Sequence, residues 1–98
     1  MTIDFRLLLS EFTRRYRARI RDGLETYGRF NPDTDTRCLS REAVEECLDV
    51  GSYLEMLEEK WPGLTPDVNR IRARLILLYS DLRGLEDMER TLERERTP

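Results

Sequence analysis

The chain has 98 residues, of which 38% are charged and 39% hydrophobic, and its formal net charge is −3 at pH 7. A chain of this length forms one domain at most, with a small core. The acidic balance argues against a general nucleic-acid-binding protein, which is usually basic. The sequence contains no histidine, which excludes a Ser-His-Asp triad, histidine acid–base catalysis and histidine-ligated zinc.

The two cysteines, Cys38 and Cys47, are too few for a disulfide framework. No apolar run approaches the ~20 residues that a helix needs to span a bilayer. The beginning of the chain lacks the charge and apolar pattern of a signal peptide. We therefore expect a cytoplasmic protein without a membrane partner.

Residues 3–27 predict a first helix, because large apolar side chains recur every three or four positions and form one face. Asp4 is suited to cap its start, and Gly28 to end it. Arg14, Arg17 and Arg21 align on one side of this helix. They form either a solvated face that pairs with acids of neighbouring helices or a clamp that binds phosphate. The apolar face consists of Phe5, Leu8, Phe12, Tyr16, Ile20, Leu24 and Tyr27.

A second helix is predicted over residues 40–61, after a connector with turn chemistry at Asn31-Pro32-Asp33. Ser40 is a suitable N-cap, and Pro62 and Gly63 end the helix. One side is apolar and the other acidic, but the acidic side continues as Tyr53 and Met56. We therefore expect this helix to be covered on much of its circumference. The apolar stripe holds Ala43, Cys47, Val50, Leu54 and Leu57, widened by Val44 and Leu48.

The acidic side of the second helix has two interpretations. It carries Glu42, Glu45, Glu46 and Asp49, which fall within two turns. Acids are common near a helix start, so a solvated face is one interpretation. The other is a magnesium site, because residues three and four apart are neighbours and clustered carboxylates suit a hard divalent cation.

The third helix is predicted over residues 66–94, with Thr65 as its cap and Pro66 in its first turn. A heptad seam runs along it until Glu89 interrupts the pattern. Its highly charged end is expected to fray or to contact a partner. The seam consists of Val68, Ile71, Leu75, Leu78, Leu82 and Leu85.

The predicted fold is all-α, a three-helix antiparallel bundle in a single domain over residues 1–98. The third helix is much longer than the second, and a second apolar side of it carries Ile76, Leu77 and Tyr79. This excess apolar surface predicts completion of the bundle by a homo-oligomer, either a dimer or a tetramer.

The run EAVEECLDVGSYLEM resembles the helix that bears the ExxD motif in the MazG-like family of all-α nucleotide pyrophosphohydrolases. Glu46 and Asp49 match the ExxD pair, Glu45 the acid before it, and Tyr53-Leu54 an aromatic-Leu pair. The connector Tyr27-Gly28…Asn31-Pro32…Asp35 also resembles that of short, phage-type members. The similarity covers residues 27–58, and the earlier EExxE motif of the family is missing from the first helix.

The resemblance implies a Mg²⁺-dependent hydrolase that converts a nucleoside triphosphate into a monophosphate and pyrophosphate. Glu42, Glu45, Glu46 and Asp49 would then hold Mg²⁺, either alone or with carboxylates of another subunit. Arg14, Arg17 and Arg21 of the first helix would bind the phosphates of the nucleotide. The residues also allow a different function, that of a non-catalytic helical module for self-assembly or protein interaction. A DNA-binding protein is disfavoured by the net negative charge.

Overall fold

The computed structural model describes residues 3–96, and the regular structure in this part of the chain is helical. Helix α1 spans Phe5–Tyr27, α2 spans Leu39–Lys60 and α3 spans Thr65–Arg96, with a 3₁₀ turn at Pro62–Leu64. The prediction of an all-α chain with three helices is confirmed. The charged end of the third helix, which was expected to fray, stays helical as far as Arg96. None of the described helices is long and apolar enough to cross a bilayer.

The chain divides into two compact units, Met1–Asp35 and Thr36–Pro98, and each is described by itself. In the first unit, the Asp4 carboxylate accepts hydrogen bonds from the backbone N–H groups of Arg6 and Leu7, at 3.0 and 3.4 Å. Gly28 follows the helix with a φ of 80°, a conformation that glycine adopts readily. The predicted roles of Asp4 and Gly28 are thus confirmed, although α1 begins at Phe5, two residues after the predicted start. The predicted turn is present too, since Asn31 Oδ1 accepts from the N–H of Asp33 at 2.9 Å.

The second unit is an antiparallel hairpin of α2 and α3. Contacts pair early residues of α2 with late residues of α3 and the reverse. Ser40 bonds to Glu89, the Cys47 thiol lies 3.9 Å from the Leu75 carbonyl oxygen, and Glu58 lies 3.7 Å from Arg72. The short link through Pro62–Leu64 enforces this direction, as the sequence predicted for these two helices.

The core of the hairpin is small. Four apolar side chains are buried among the described residues, namely Val44, Cys47, Leu54 and Val68. Three of the other predicted apolar positions of α2, Leu48, Val50 and Leu57, are 49%, 43% and 39% exposed. A core of this size leaves much of the apolar surface of both helices in contact with solvent.

The predicted heptad seam of α3 is two separate stripes in the structure. Val68, Leu75 and Leu82 face α2, whereas Ile71, Leu78 and Leu85 are exposed. The two sets repeat every seven residues but differ in phase, and only one phase points to α2. The seam facing α2 is completed by positions that are not aliphatic, namely Arg72, Tyr79, Glu86 and Glu89.

Candidate functional site

The four acids proposed as metal ligands are exposed on α2. Glu45 pairs with Arg41 at 3.0 Å, and both side chains are 52% exposed. Tyr53 and Met56, whose presence suggested a covered face, are 69% and 54% exposed, so the hairpin of α2 and α3 does not itself cover this face. Helical periodicity identifies a face but not what lies against it.

The described residues contain no ready-made group of metal ligands. Among residues 3–96, no three acidic or cysteine side chains are grouped so that they could hold a metal ion. Glu42, Glu46 and Asp49 share a helix side and are exposed. Arg14, Arg17 and Arg21 are exposed on α1, which belongs to the first compact unit, whereas the acids belong to the second.

A carboxylate from α3 caps the beginning of α2. The helix begins at Leu39, one residue before the predicted start, so the prediction of Ser40 as N-cap was wrong. Glu89 instead accepts hydrogen bonds from the N–H groups of Leu39 and Ser40, at 3.2 and 2.8 Å. It also accepts from the Ser40 hydroxyl, and from the Cys38 thiol at 3.3 Å. Free amides at a helix start need acceptors, and a negative charge suits that end of the helix dipole.

These hydrogen bonds predict an acid-dependent stability. The Ser40 hydroxyl and backbone N–H groups lower the pKa of Glu89 from 4.5 to about 2. A carboxylate with a lowered folded-state pKa stabilises the fold above its unfolded pKa, and this contribution is lost as the pH falls from about 4.5 towards 2. Glu89→Gln should therefore lower the melting temperature at pH 7 and flatten its decline over that acidic window, measured by circular dichroism.

The matched control for this prediction is Glu95→Gln, which removes the same charge from an exposed position of the same helix. Its melting temperature should follow the unmodified protein through the acidic window. If Glu89→Gln and the unmodified protein lose stability in parallel as the pH falls, the cap does not contribute as described.

Glu86 is a buried carboxylate on the seam between α2 and α3, with only 1% of its surface exposed. Three guanidinium groups approach one of its oxygens, Oε1, from Arg90 at 3.3 Å, Arg41 at 3.8 Å and Arg83 at 4.0 Å. The arginine side chains remain more than half exposed. The second oxygen, Oε2, is buried without a hydrogen-bond partner among the described residues.

Sequence reasoning missed Glu86 and Glu89 as buried or capping groups, although a signal was present. Both continue the alternating spacing of four and three residues that starts at Val68 and passes through Leu75 and Leu82. An acid at a position that continues the spacing of such a seam indicates a polar group that faces the partner helix. The prediction treated Glu89 as an interruption of the seam, whereas it is the last residue of it.

One side of the hairpin carries a continuous apolar stripe, which we call the apolar flank. Its members are 38% to 51% exposed and repeat every seven residues. Leu57 and Leu64 line one apolar hollow together with Trp61, Pro62 and Gly63, so the stripe continues from α2 into the turn that precedes α3. The flank consists of Val50, Leu57, Leu64, Ile71, Leu78 and Leu85.

The chain was compared with models of known protein families, with curated proteins and with solved structures. None of the three comparisons gave a match.

Proposed function

We propose that the chain is a helical self-assembly module, in which copies of the chain associate through the apolar flank. The observation that carries this proposal is the flank itself, a row of partly exposed aliphatic side chains along both helices of the hairpin. Contiguous apolar surface of this kind is typical of interaction sites rather than of the surface of a monomer.

The small core supports the same function. A hairpin with four buried apolar side chains has little hydrophobic stabilisation to offset the conformational entropy of ordering two helices. Burial of apolar surface contributes about 25 cal/mol per Å². Covering the apolar flank therefore stabilises each copy while it joins the copies. A closed dimer or tetramer achieves this, and it completes the three-helix bundle that the sequence predicts.

Leu78→Glu tests this function directly, because Leu78 lies on the flank and is 50% exposed, away from the α2–α3 seam. A charge at this position should dissociate the assembly, with self-association weakened about 100-fold, since a desolvated unpaired carboxylate costs several kcal/mol. The measurement is sedimentation velocity over a range of protein concentrations.

The matched control is Leu77→Glu, one residue earlier on α3 and off the flank, where the side chain is 68% exposed. This variant should keep the sedimentation profile of the unmodified protein. The proposal is contradicted if both variants assemble normally, or if the unmodified protein is monomeric at concentrations at which it is folded.

A second proposal is the MazG-like nucleoside triphosphate pyrophosphohydrolase, which rests on the resemblance and on the four exposed acids that share one side of α2. Because no three acids are grouped to hold a metal ion among residues 3–96, this proposal calls for further carboxylates from a second copy. The assembly proposal needs no such addition, and we rank it first.

The enzymatic proposal predicts that the protein releases pyrophosphate from at least one nucleotide of a (deoxy)nucleoside triphosphate panel with Mg²⁺. Asp49→Ala should lower this rate at least 100-fold, because loss of a metal-ligating carboxylate weakens the ion that neutralises the phosphates. Release at the same background rate from both proteins would rule out catalysis by this acid face.

A further inference from the structure

We infer that the apolar flank of one copy is covered by α1 of a second copy. This inference rests on the proposed self-assembly and names the element that fills the flank. It follows from three properties of the described residues, namely the shape of the exposed stripe on α1, the lengths of the helices and the distribution of charge.

Helix α1 offers an apolar stripe of the right kind. Phe12, Ile20 and Leu24 lie on it and are 64%, 58% and 41% exposed, and no residue of α1 is buried. The stripe continues over the whole helix because its members recur every three or four positions. An amphipathic helix laid into an apolar groove between two helices is a common mode of recognition.

The lengths of the two elements match. Helix α1 has 23 residues and α2 has 22, so each is about 34 Å long at 1.5 Å per residue. A helix of this length is long enough to cover the flank along α3 from Ile71 to Leu85, a distance of about 21 Å.

The charges beside the two apolar surfaces are complementary. Helix α1 carries six arginines and three acids, whereas α2 carries two basic and seven acidic side chains. On α2, Glu46 and Asp49 lie about 40° and 100° round the helix from Val50, on the side away from α3. On α1, Arg17 and Arg21 lie about 60° and 100° round from Ile20, both in the same direction.

When α1 of the second copy runs parallel to α2, docking of the two apolar surfaces brings this row of guanidinium groups to the row of carboxylates. Arginine pairs with carboxylates through its planar fork, and such pairing relieves repulsion between neighbouring acids. The arginines of α1 thus neutralise the acid face of α2, a role for which the sequence alone suggested a divalent cation. Arg14 and Glu42 extend the two rows by one further turn.

Under the proposed self-assembly, a second copy supplies a cover for both surfaces. The stripe of α1 is exposed within the first unit and the apolar flank within the second. In a two-fold dimer, α1 of each copy covers the flank of the other, and both surfaces are buried by one symmetric exchange. A lipid surface or an unrelated helix would cover only one of them.

Charge reversal in two separate chains tests the inference. One variant carries Arg17→Glu and Arg21→Glu, and the other carries Glu46→Arg and Asp49→Arg. Each alone should self-associate about tenfold or more weakly than the unmodified protein, because attractive pairs become repulsive. An equimolar mixture should recover the sedimentation coefficient and the apparent dissociation constant of the unmodified protein, since the reversed rows match between chains.

The outcomes separate this inference from the proposed function. If the mixture stays dissociated but a single chain with all four substitutions assembles normally, α1 covers the flank of its own chain and the inference is overturned. If reversal on α1 leaves assembly intact while Leu78→Glu abolishes it, hairpins associate through their flanks without α1, which overturns the inference but not the proposed function. If Leu78→Glu also leaves assembly intact, both are overturned.

Discussion

Replacing Leu54 by alanine should lower the free energy of unfolding by about 3 kcal/mol, because a large buried side chain is removed from a small core. Leu54 is 8% exposed and is one of the four buried apolar side chains of the described residues. In a hairpin with so few buried groups, this loss is a large share of the total stability. The measurement is urea unfolding followed by circular dichroism at a fixed protein concentration.

Leu48→Ala is the control for this prediction, since it removes the same atoms from the same helix at a position that is 49% exposed. Its effect should stay within about 0.5 kcal/mol, as is usual for surface substitutions. Equal losses in the two variants would mean that the α2–α3 seam is not the stabilising core of the hairpin.

The second large effect concerns Glu86, whose replacement by methionine should raise the free energy of unfolding by about 1 kcal/mol. The buried carboxylate loses its hydration, its Oε2 atom lacks a hydrogen-bond partner among the described residues, and the three nearby guanidinium groups all approach the other oxygen. Methionine has a similar volume and needs no polar partner. The arginines stay partly hydrated after the substitution, so they are not left as buried charges.

Glu86→Gln is the matched variant, because it removes the charge but keeps two polar atoms in the same buried place. It should lower stability, since its amide oxygen can take the place of Oε1 but its N–H groups are then left in the buried position of Oε2 without an acceptor. Urea unfolding of the two variants decides the point. A loss of more than about 2 kcal/mol in Glu86→Met would show that attraction to the arginines outweighs the desolvation of the carboxylate.

Local chemistry made the helices predictable from the sequence. The spacing of apolar residues by three or four positions located all three helices to within a few residues. Asp4 caps the start of α1 with its carboxylate, and Gly28 follows the end of α1 because glycine adopts a positive φ readily. The turn at Asn31 follows in the same way from contacts between residues close in the chain. Each of these features depends on residues that are close together in the chain, so it can be predicted from a short stretch of sequence.

Features set by contacts between distant residues were predicted less well. The seam of α3 was assigned by its aliphatic residues, so Leu78 was placed with Leu75 although the two lie on different phases. Glu89 was not predicted to cap α2, because the two groups are about 50 residues apart in the sequence. The acids of α2 were expected to be covered, but a pattern of acids does not specify which surface lies opposite to them.

The capping of α2 by Glu89 has a consequence for the order in which the hairpin forms. The amides of Leu39 and Ser40 find their acceptor in a residue that is synthesised long after them and that reaches them only when α3 has docked. Closing that loop costs chain entropy, which the first turn of α2 cannot recover on its own. The beginning of α2 is therefore completed last, and slow hydrogen exchange at these two amides reports a fully docked hairpin rather than a folded helix.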